Sequence, residues 1–346
     1  MRVALVTESG KADSVRGIGV YTKKLYDSIK QLKTANLSLD LTTINDPKLA
    51  TYDILHHTDF RVYFSRPKLF KNTKTIVMIH DCIPLIYPDH YPPGIRGKIK
   101  LFQQKFLLKS VDRVVTNSET SKKDIVRLLD VPSTKIDVIY LAPNLEFKKK
   151  NNSTSVVEKY NLPKKFVLYV GDVNYNKNIV TLTDACSLVK IPLIIVGKQA
   201  VDEKVDLNHP ENQSFSTFLN KYRNNPNVLR VGYVSNEELF EIYSLASVYC
   251  QPSFYEGFGI GVVNAFACGV PVVISKTQAL VEIADGAALI VDPRNPKNLA
   301  NKIAEILENK STKAHLIKKG FNRVKDFSWE KTAKETLKVY KSVNRS

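Results

Sequence analysis

The sequence is most informative at residues 252–261, which read Pro-Ser-Phe-Tyr-Glu-Gly-Phe-Gly-Ile-Gly. This segment follows a short apolar run and precedes a run of small residues, so we expect a strand, a glycine-rich loop and a helix. Glycines let the backbone approach a ligand closely, and the N–H groups that begin a helix suit phosphate or sugar oxygens. Glu256 is an acceptor for sugar hydroxyls. The simpler interpretation is a tight strand–helix turn with a surface glutamate.

Strands and helices alternate on both sides of this loop. Strands are predicted at residues 166–170, 193–196, 228–231, 248–251, 270–274 and 288–291, with helices at 179–189, 236–245 and 262–267. The first half of the chain has predicted strands at 3–7, 39–43, 54–56, 75–79, 113–116 and 135–139. Its predicted helices are 21–32, 94–110 and one that starts at Ser118 or Thr120. Such alternation predicts an α/β protein with parallel sheets covered by helices on both faces.

The length of 346 residues favours two domains, because one hydrophobic core rarely supports so long a chain. The polar, lysine-rich stretch 147–165 is the best linker candidate. We therefore expect one Rossmann-like domain at 1–150 and another at 151–327, with strand carboxyl ends facing a cleft between them.

Composition narrows the class of protein. Hydrophobic residues make up 43% of the chain and charged residues 25%, which is typical of a globular protein. No apolar run reaches the length of a membrane-spanning helix, and the N-terminus lacks the features of a signal peptide, so a cytoplasmic protein is expected. Four cysteines (Cys82, Cys186, Cys250 and Cys268) lack metal-binding spacing and are predicted to be reduced and mostly buried.

The net charge of +17 is distributed unevenly. Residues 1–150 hold 26 Lys and Arg against 15 Asp and Glu, residues 151–300 hold 13 against 14, and residues 301–346 hold 12 against 5. The first domain and the C-terminal segment are therefore basic, at +11 and +7, and the middle is neutral. Either this charge serves general solubility or it attracts an anionic surface or acceptor. No nucleic-acid-binding module is visible, so nucleic acid is not an expected partner.

The loop at 252–261 resembles the E-x7-E loop of the family-4 retaining glycosyltransferases, which have the GT-B fold of two Rossmann-like domains. The resemblance rests on Ser253, Glu256-Gly257-Phe258-Gly259-Ile260, Ala265 and the run Ala-Cys-Gly-Val-Pro-Val at 267–272. It continues through 281–283, 291–293 and Phe-Ser-Trp-Glu at 327–330, while residues 86–92 resemble mannosyltransferase-like members. It implies that a C-terminal helix, residues 328–346, returns to the first domain. It also implies that the first domain binds the acceptor and the second binds the nucleotide-sugar.

The resemblance assigns residues of the second domain to the donor. Those implied to bind the donor are Asn176, Gly257, Phe258, Gly259, Ile260 and Asn264, with Glu256 and Lys177 as catalytic residues. Asn264 departs from the family, which has a second glutamate there to hold the ribose hydroxyls. Its amide is either a tolerated variation, or a sign of changed nucleotide preference or lost activity.

Residues 171–178 supply the second predicted feature of the donor site. Many family members have Arg-Lys-Asn where this chain has Asn176-Lys177-Asn178, and the basic residues neutralise the leaving diphosphate. Lys177 is retained and the arginine is not. A compact ammonium beside a departing diphosphate is a plausible electrostatic catalyst; otherwise Lys177 is a solvated residue in the first turn of a helix.

The first domain holds a pair of glycines and three single residues as further candidates. Gly17-Ile18-Gly19 resembles the family's glycine loop that borders the donor phosphates, although such a pair is often only a turn. His80, at the end of a predicted strand, is a catalytic candidate, and Asp81 and Asn117 are expected on the acceptor side. A His-Asp pair also occurs as a buried structural hydrogen bond.

The resulting hypothesis is a retaining hexosyltransferase, with mannose favoured, that uses a nucleoside-diphosphate sugar and a glycan or polyprenyl-diphosphate-linked acceptor. No cofactor or metal is implied, and an anionic membrane surface at the inner face of the cell membrane is an expected partner. The alternative is a catalytically weak nucleotide-sugar-binding subunit, favoured by Asn264 and the absent arginine. A phosphorylase would be far longer. A dinucleotide-dependent oxidoreductase would need a third glycine where Thr22 stands.

Overall fold

The computed structural model of the protein describes residues 1–8, 17–145, 154–202 and 204–345. It divides into two compact units, Met1–Ala142 with Phe327–Ser346 (unit 1) and Pro143–Asp326 (unit 2). The chain passes from unit 1 to unit 2 between Ala142 and Pro143, before the 150/151 boundary expected from the sequence. The reason is that Leu145 packs into the core of unit 2. The predicted linker at 147–165 is wrong for residues 154–160. These residues form a helix, and its Val156 is buried in the core of unit 2. Residues 147–153 lie outside the described residues.

Unit 1 contains six strands and five helices among its described residues. The strands are β1 (Arg2–Thr7), β2 (Ser38–Thr43), β3 (Ile54–Phe60), β4 (Lys74–Ile79), β5 (Arg113–Thr116) and β6 (Ile136–Val138). The helices are α1 (Gly17–Gln31), α2 (Ile83–Ile86), α3 (Gly94–Ser110), α4 (Glu119–Leu129) and, from the end of the chain, α13 (Trp329–Arg345). Ser118 is the N-cap of α4 and accepts from the Ser121 N–H, which resolves the choice between Ser118 and Thr120.

The strands of unit 1 form one parallel sheet in the order β2-β1-β3-β4-β5-β6. As expected, the C-terminal helix belongs to this unit. Helix α13 packs on α1, and the hydroxyl of its fully buried Tyr340 lies 2.8 Å from His56 Nδ1 on β3.

Unit 2 has the same architecture. Its strands are β7 (Val167–Val170), β8 (Leu193–Val196), β9 (Val228–Gly232), β10 (Val248–Gln251), β11 (Val272–Ser275) and β12 (Leu289–Val291). Its helices are α5 (Thr154–Tyr160), α6 (Ile179–Leu188), α7 (Gln213–Tyr222), α8 (Asn236–Leu245), α9 (Ile260–Ala267), α10 (Gln278–Ala284), α11 (Pro296–Glu308) and α12 (Lys310–Arg323).

The sheet of unit 2 runs β12-β11-β10-β7-β8-β9, and all of its strands are parallel. Two buried apolar clusters cover its two faces. Because inward-facing side chains alternate along a strand, Leu168 belongs to one cluster and Tyr169 to the other. The strand order reverses between β7 and β10, so these two neighbours flank the topological switch point of the sheet.

Two further expectations concern membranes and cysteines. Across the residues that the structure describes, no helix has both the length and the apolar character needed to span a bilayer. All four cysteines are unpaired and buried, as predicted. Burial raises the pKa of the Cys268 thiol to about 12, so this side chain stays protonated.

Candidate functional site

The predicted donor residues of unit 2 meet at the switch point of its sheet. Residues 171–178 leave the carboxyl end of β7, and residues 252–259 leave the carboxyl end of β10. These two strands are hydrogen-bonded neighbours. In open parallel sheets, ligands bind outside the carboxyl ends of strands at such a point. The two loops therefore occupy the position where this architecture binds ligands.

An ion pair joins the two loops. Lys177 Nζ donates to both carboxylate oxygens of Glu256, at 2.9 Å to Oε1 and 2.8 Å to Oε2. The Lys177 side chain is 22% exposed and that of Glu256 is 7% exposed. Hydrogen bonds between ionised partners are stronger than neutral ones, and low exposure reduces their screening by water. The structure thus brings together Lys177 and Glu256, the two residues of this unit that the resemblance implies to be catalytic.

A chain of polar side chains holds the carboxylate of Glu256 in place. Its Oε1 accepts from Ser253 Oγ at 2.6 Å and from Gln251 Nε2 at 2.9 Å. The carbonyl oxygen of Gln251 in turn accepts from the Tyr249 hydroxyl at 2.9 Å. Burial raises the pKa of Tyr249, and the negative charge of Glu256 adds to the effect, so the phenol stays protonated and donates. Glu256 is therefore a fixed, buried acceptor rather than a surface glutamate.

Two asparagines fasten the loops to each other. Asn176 Nδ2 donates to the Tyr255 carbonyl at 3.0 Å, and the Asn176 carbonyl accepts from the Phe254 N–H at 2.7 Å. Asn178 Nδ2 donates to the Pro252 carbonyl at 2.9 Å and to the Pro293 carbonyl at 2.6 Å. Asn176, predicted to bind the donor, is 3% exposed and serves here as a scaffold.

The glycine-rich loop ends at the first turn of α9, as predicted. Gly259 precedes α9 with a φ of +103°, a conformation that disfavours other residues. A Cβ at this position would meet Leu280 Cδ2 at 2.5 Å. Gly257 and Phe258 are buried in the loop, and Ile260 is the first residue of the helix. The N–H groups in the first turn of a helix are suited to anionic oxygens.

The side chain of Asn264 accepts a hydrogen bond from within unit 2. The side chain lies on α9, is 5% exposed, and its Oδ1 accepts from the backbone N–H of Asn144 at 2.9 Å. The amide oxygen that the resemblance assigns to ribose hydroxyls thus already has a backbone partner. Sequence reasoning had no signal for this contact, because the partner lies 120 positions away.

Arg294 is a cation near the loops that sequence reasoning missed. Its guanidinium lies over the ring of Phe254, 5.5 Å from the centroid, and the Phe254 ring contacts Tyr175 with centroids 5.2 Å apart. The preceding residue, Pro293, is the one whose carbonyl binds Asn178. Position 294 thus places a second positive charge beside the segment that carries Lys177. The only signal in the sequence was its position next to the family-like segment at 291–293.

In unit 1, His80 directly follows β4. Its Nε2 lies 3.3 Å from the Thr58 carbonyl, and its ring packs edge-on against Tyr21 with centroids 5.0 Å apart. Burial lowers the pKa of His80 to about 4, although the Thr58 carbonyl and Asp59 oppose that shift. His80 is therefore a neutral imidazole at neutral pH, and its Nε2 donates to the Thr58 carbonyl.

The two predicted acceptor-side residues lie in unit 1 at the ends of strands next to each other. Asp81 follows His80, and its Oδ1 accepts from the Ile83 N–H at 3.0 Å. Asn117 follows β5, is 3% exposed, and its Oδ1 is buried without a hydrogen-bond partner in the structure. A buried, unsatisfied acceptor is costly unless a ligand or water completes it. Asn117 thus has an unmet hydrogen-bonding requirement next to β4 and β5.

The glycine loop predicted in unit 1 is wrong in its placement. Gly17 and Gly19 lie in the first turn of α1, which starts at Gly17, and not in a loop before the helix. The Thr22 hydroxyl donates to the Ile18 carbonyl at 3.0 Å inside that turn. A Cβ on Gly17 would meet no atom within 4 Å. The loop before the helix, residues 9–16, lies outside the described residues.

Metal-binding clusters are not found. Among the described residues, no group of three or more His, Cys, Asp or Glu side chains is arranged to hold a metal ion.

Comparison with known proteins identifies the family. Residues 152–323 match the family described as Glycosyl transferases group 1, and residues 15–147 match the one described as Glycosyltransferase Family 4. The chain belongs to glycosyltransferase family 4. Its similarity to this family spans both units and includes the Lys177 and Glu256 loops.

Several curated proteins are similar to this glycosyltransferase. O-antigen chain mannosyltransferase B of Escherichia coli is 28% identical over 280 residues, which cover 78% of this chain and 70% of that protein. Serotype-specific mannosyltransferase WbdA of Escherichia coli is 23% identical over 269 residues, and the match spans only 32% of its length. D-inositol 3-phosphate glycosyltransferase of Nocardioides is 25% identical over 258 residues, which cover 70% of this chain and 56% of that protein.

Solved structures establish the same fold. Sucrose-phosphate synthase from Thermosynechococcus elongatus superimposes with a TM-score of 0.76 at 22% identity, covering 99% of both chains. HepE from Anabaena, solved with UDP and glucose, gives a TM-score of 0.74 at 16% identity and covers 99% of this chain and 100% of its own. The two parallel six-stranded sheets are therefore those of a GT-B glycosyltransferase.

Proposed function

We propose that this glycosyltransferase transfers a hexose, mannose in the first instance, from a nucleoside-diphosphate sugar with retention of the anomeric configuration. The acceptor is a glycan or a polyprenyl-diphosphate-linked glycan. The observation that carries the proposal is the ion pair between Lys177 and Glu256, which joins two loops at the switch point of the sheet in unit 2. A cation and an acceptor fixed at that point match a diphosphate and a sugar, respectively.

Lys177 is proposed to stabilise the leaving group. When the bond between the anomeric carbon and the diphosphate oxygen breaks, negative charge grows on that oxygen. The Lys177 ammonium is mostly shielded from water. Charge interactions are stronger in such a shielded environment than on an open surface. The N–H groups at the start of α9 add partial positive charge to the same end of the unit. These groups take the place of a metal ion in the proposal.

Glu256 is proposed to orient both the sugar and the lysine. Its carboxylate is held by Ser253 and Gln251, so it offers fixed acceptor oxygens to sugar hydroxyls. A glycosidase needs two carboxyl groups that flank the scissile bond, and no acidic companion of Glu256 was found in its loop sequence. We therefore propose that the acceptor hydroxyl attacks from the face of the leaving diphosphate. Its proton passes to a donor phosphate oxygen.

Unit 1 is proposed to hold the acceptor. His80 is a neutral imidazole, and the amide oxygen of Asn117 is a buried acceptor without a partner. A hydroxyl-rich ligand supplies the donors that Asn117 lacks. With Asp81, these residues form the proposed acceptor side, and the assignment of mannose follows the two mannosyltransferase relatives.

The test is a panel of donors with stereochemical analysis of the product. GDP-, UDP-, ADP- and dTDP-sugars are first compared by thermal shift, and a donor that stabilises the protein is then incubated with glycan acceptors. We expect a GDP-sugar to stabilise the protein and to yield a product whose anomeric coupling constant matches that of the donor. Inversion at the anomeric carbon would contradict the retaining mechanism, and stabilisation only by other nucleotides would contradict mannose.

A second candidate function is a catalytically weak nucleotide-sugar-binding subunit. It is favoured by Asn264, whose Oδ1 already accepts one hydrogen bond from the Asn144 N–H, and by the absent arginine beside Lys177. Donor binding without nucleoside diphosphate release, unchanged in Lys177→Ala, would support this function over transfer. Release that depends on Lys177 would exclude it.

A further inference from the structure

Helix α3 of unit 1 presents apolar side chains to solvent. Four of them are 81%, 55%, 76% and 69% exposed and form what we name the apolar stripe: Ile95, Ile99, Phe102 and Phe106, respectively. Their spacing of four, three and four residues places them on one side of the helix. Apolar side chains that are exposed singly need no explanation, but a contiguous row along one helix face indicates an interaction surface.

The opposite face of α3 already packs on the unit. Gly97 and Leu108 are buried there, and a Cβ on Gly97 would meet Pro93 Cβ at 2.8 Å. Gln104, 1% exposed, is the anchor at the centre of this face. Its amide accepts from the Tyr63 N–H at 3.0 Å and donates to the carbonyls of Arg61 and Ser65. Because these three hydrogen bonds of a buried side chain fix the rotation of the helix, the apolar stripe faces solvent.

A row of cations borders the apolar stripe. Helix α3 contains five basic residues and no acidic one, and we name them the basic rim: Arg96, Lys98, Lys100, Lys105 and Lys109. At about 100° per residue, Lys98 and Lys109 flank the stripe on one side and Arg96 on the other. Lys105 pairs with Asp130 at 3.0 Å, whereas Lys98 and Lys109 are exposed.

One further exposed aromatic residue lies in the loop beside α3. Phe64 is 67% exposed, and its carbonyl accepts from Lys100 Nζ at 3.3 Å, which places it beside α3. It follows Tyr63 in the same short segment that Gln104 fastens. The loop that Lys100 contacts thus also exposes an apolar side chain.

The positive charge beside the apolar stripe indicates which kind of partner binds this surface. In a symmetric dimer through this face, the basic rim of one copy would meet that of the other, and like charges would oppose association. A helix with one apolar face and flanking lysines matches the boundary between lipid headgroups and acyl chains. Each cation near an anionic leaflet is also attracted to it, within the reach of the Debye length. A bilayer that contains anionic lipid is therefore complementary to both the apolar stripe and the basic rim.

We propose that α3 docks this protein on a bilayer that contains anionic lipid. The apolar stripe enters the boundary between headgroups and acyl chains, and Arg96, Lys98 and Lys109 contact lipid phosphates. This inference concerns a surface of unit 1 and does not depend on the proposed glycosyl transfer.

The experiment is cosedimentation of the whole protein with phosphatidylcholine vesicles, with and without phosphatidylglycerol. We expect binding to the anionic vesicles that weakens as salt is raised. The double variant Phe102→Ser/Phe106→Ser should lower the partition coefficient more than tenfold, because two buried aromatic side chains are lost. Lys98→Gln/Lys109→Gln should lower it severalfold on anionic vesicles and not on neutral ones.

Matched variants elsewhere on the chain are the controls. Leu188→Ser removes an apolar side chain that is 55% exposed in unit 2, and Lys310→Gln/Lys318→Gln removes two exposed charges from α12. Both should bind vesicles as the parent does. The thermal midpoint of each variant shows that it is folded. Equal binding to neutral and anionic vesicles, or equal loss in the controls, would overturn the proposal. So would a dimer in sedimentation velocity that Phe102→Ser/Phe106→Ser disperses, because a second copy would then cover the face.

Discussion

The ammonium of Lys177 and the carboxylate of Glu256 are bonded to each other although 79 positions separate them in the chain. They come from loops that follow neighbouring strands, and each loop is fastened to the other by asparagine side chains. The pair is therefore set in place by the fold before any ligand arrives. Such preorganisation is what makes a charged group effective on a developing charge.

Removal of the lysine should affect the chemical step more than donor binding. We expect Lys177→Ala to lower kcat about 10²- to 10³-fold, as for loss of one preorganised electrostatic donor. Lys177→Arg should restore only part of the rate, since a planar guanidinium does not reproduce a compact ammonium. Initial-rate kinetics with the preferred donor measure both effects. Lys165→Ala, which alters an exposed lysine of the same unit, is the control. A parental kcat in Lys177→Ala would remove Lys177 from the mechanism.

Asn178 should contribute strongly to stability although it was not among the predicted site residues. Loss of its buried hydrogen bonds to the Pro252 and Pro293 carbonyls should cost about 2–4 kcal/mol. Its φ of 56° is left-handed, so Asn178→Ala should be about 1 kcal/mol less stable than Asn178→Gly. Urea denaturation of both variants separates the two effects. Equal stability of the Gly and Ala variants would show that the backbone relaxes here.

Gly259 should tolerate no side chain, for two separable reasons. Gly259→Ala adds a Cβ that would meet Leu280 Cδ2 at 2.5 Å and also forces alanine to a φ of +103°. The variant should bind donor more weakly and unfold earlier. Adding Leu280→Ala should relieve the contact but not the backbone strain. Gly286→Ala, with φ at +75° and nothing within 4 Å of the new Cβ, measures strain alone. Should Gly259→Ala cost no more than Gly286→Ala, the close approach to Leu280 is unimportant.

Local sequence patterns were sufficient for most strands. Apolar runs bounded by polar residues predicted β5, β8 and β10 at the residues where the structure has them. The helix at α3 was also predicted with its observed bounds, but apolar spacing alone does not say whether a face is buried. The hydrogen bonds of Gln104 with its three partners determine which face of α3 is buried. These contacts join residues about 40 positions apart.

Site residues could be predicted from the sequence where a single loop contains the motif. They could not be predicted where the arrangement depends on contacts between different loops. Glu256 and Lys177 were found by motif, whereas the bond between Asn264 and Asn144 depends on how a distant segment returns to α9. The same holds for Arg294, whose relation to Phe254 arises from a loop after another strand. Gly17 and Gly19 were misplaced because glycines at the start of a helix look like a loop in sequence.

Unit 1 should lose stability as the pH falls below neutrality, because of its buried histidines. Burial lowers the pKa of His57 and of His80 to about 4, and that of His56 to about 3, whereas an unfolded histidine titrates near 6.5. Since the folded pKa values are depressed, the unfolded chain binds more protons between about pH 6.5 and 4. Stability is therefore fully present above about pH 6.5 and falls through that window, by an amount on the order of several kcal/mol. Urea midpoints across that range measure the slope. His57→Asn should reduce it and His315→Asn, an exposed histidine in unit 2, should not. A slope unchanged by His57→Asn would mean that other groups carry the acid sensitivity.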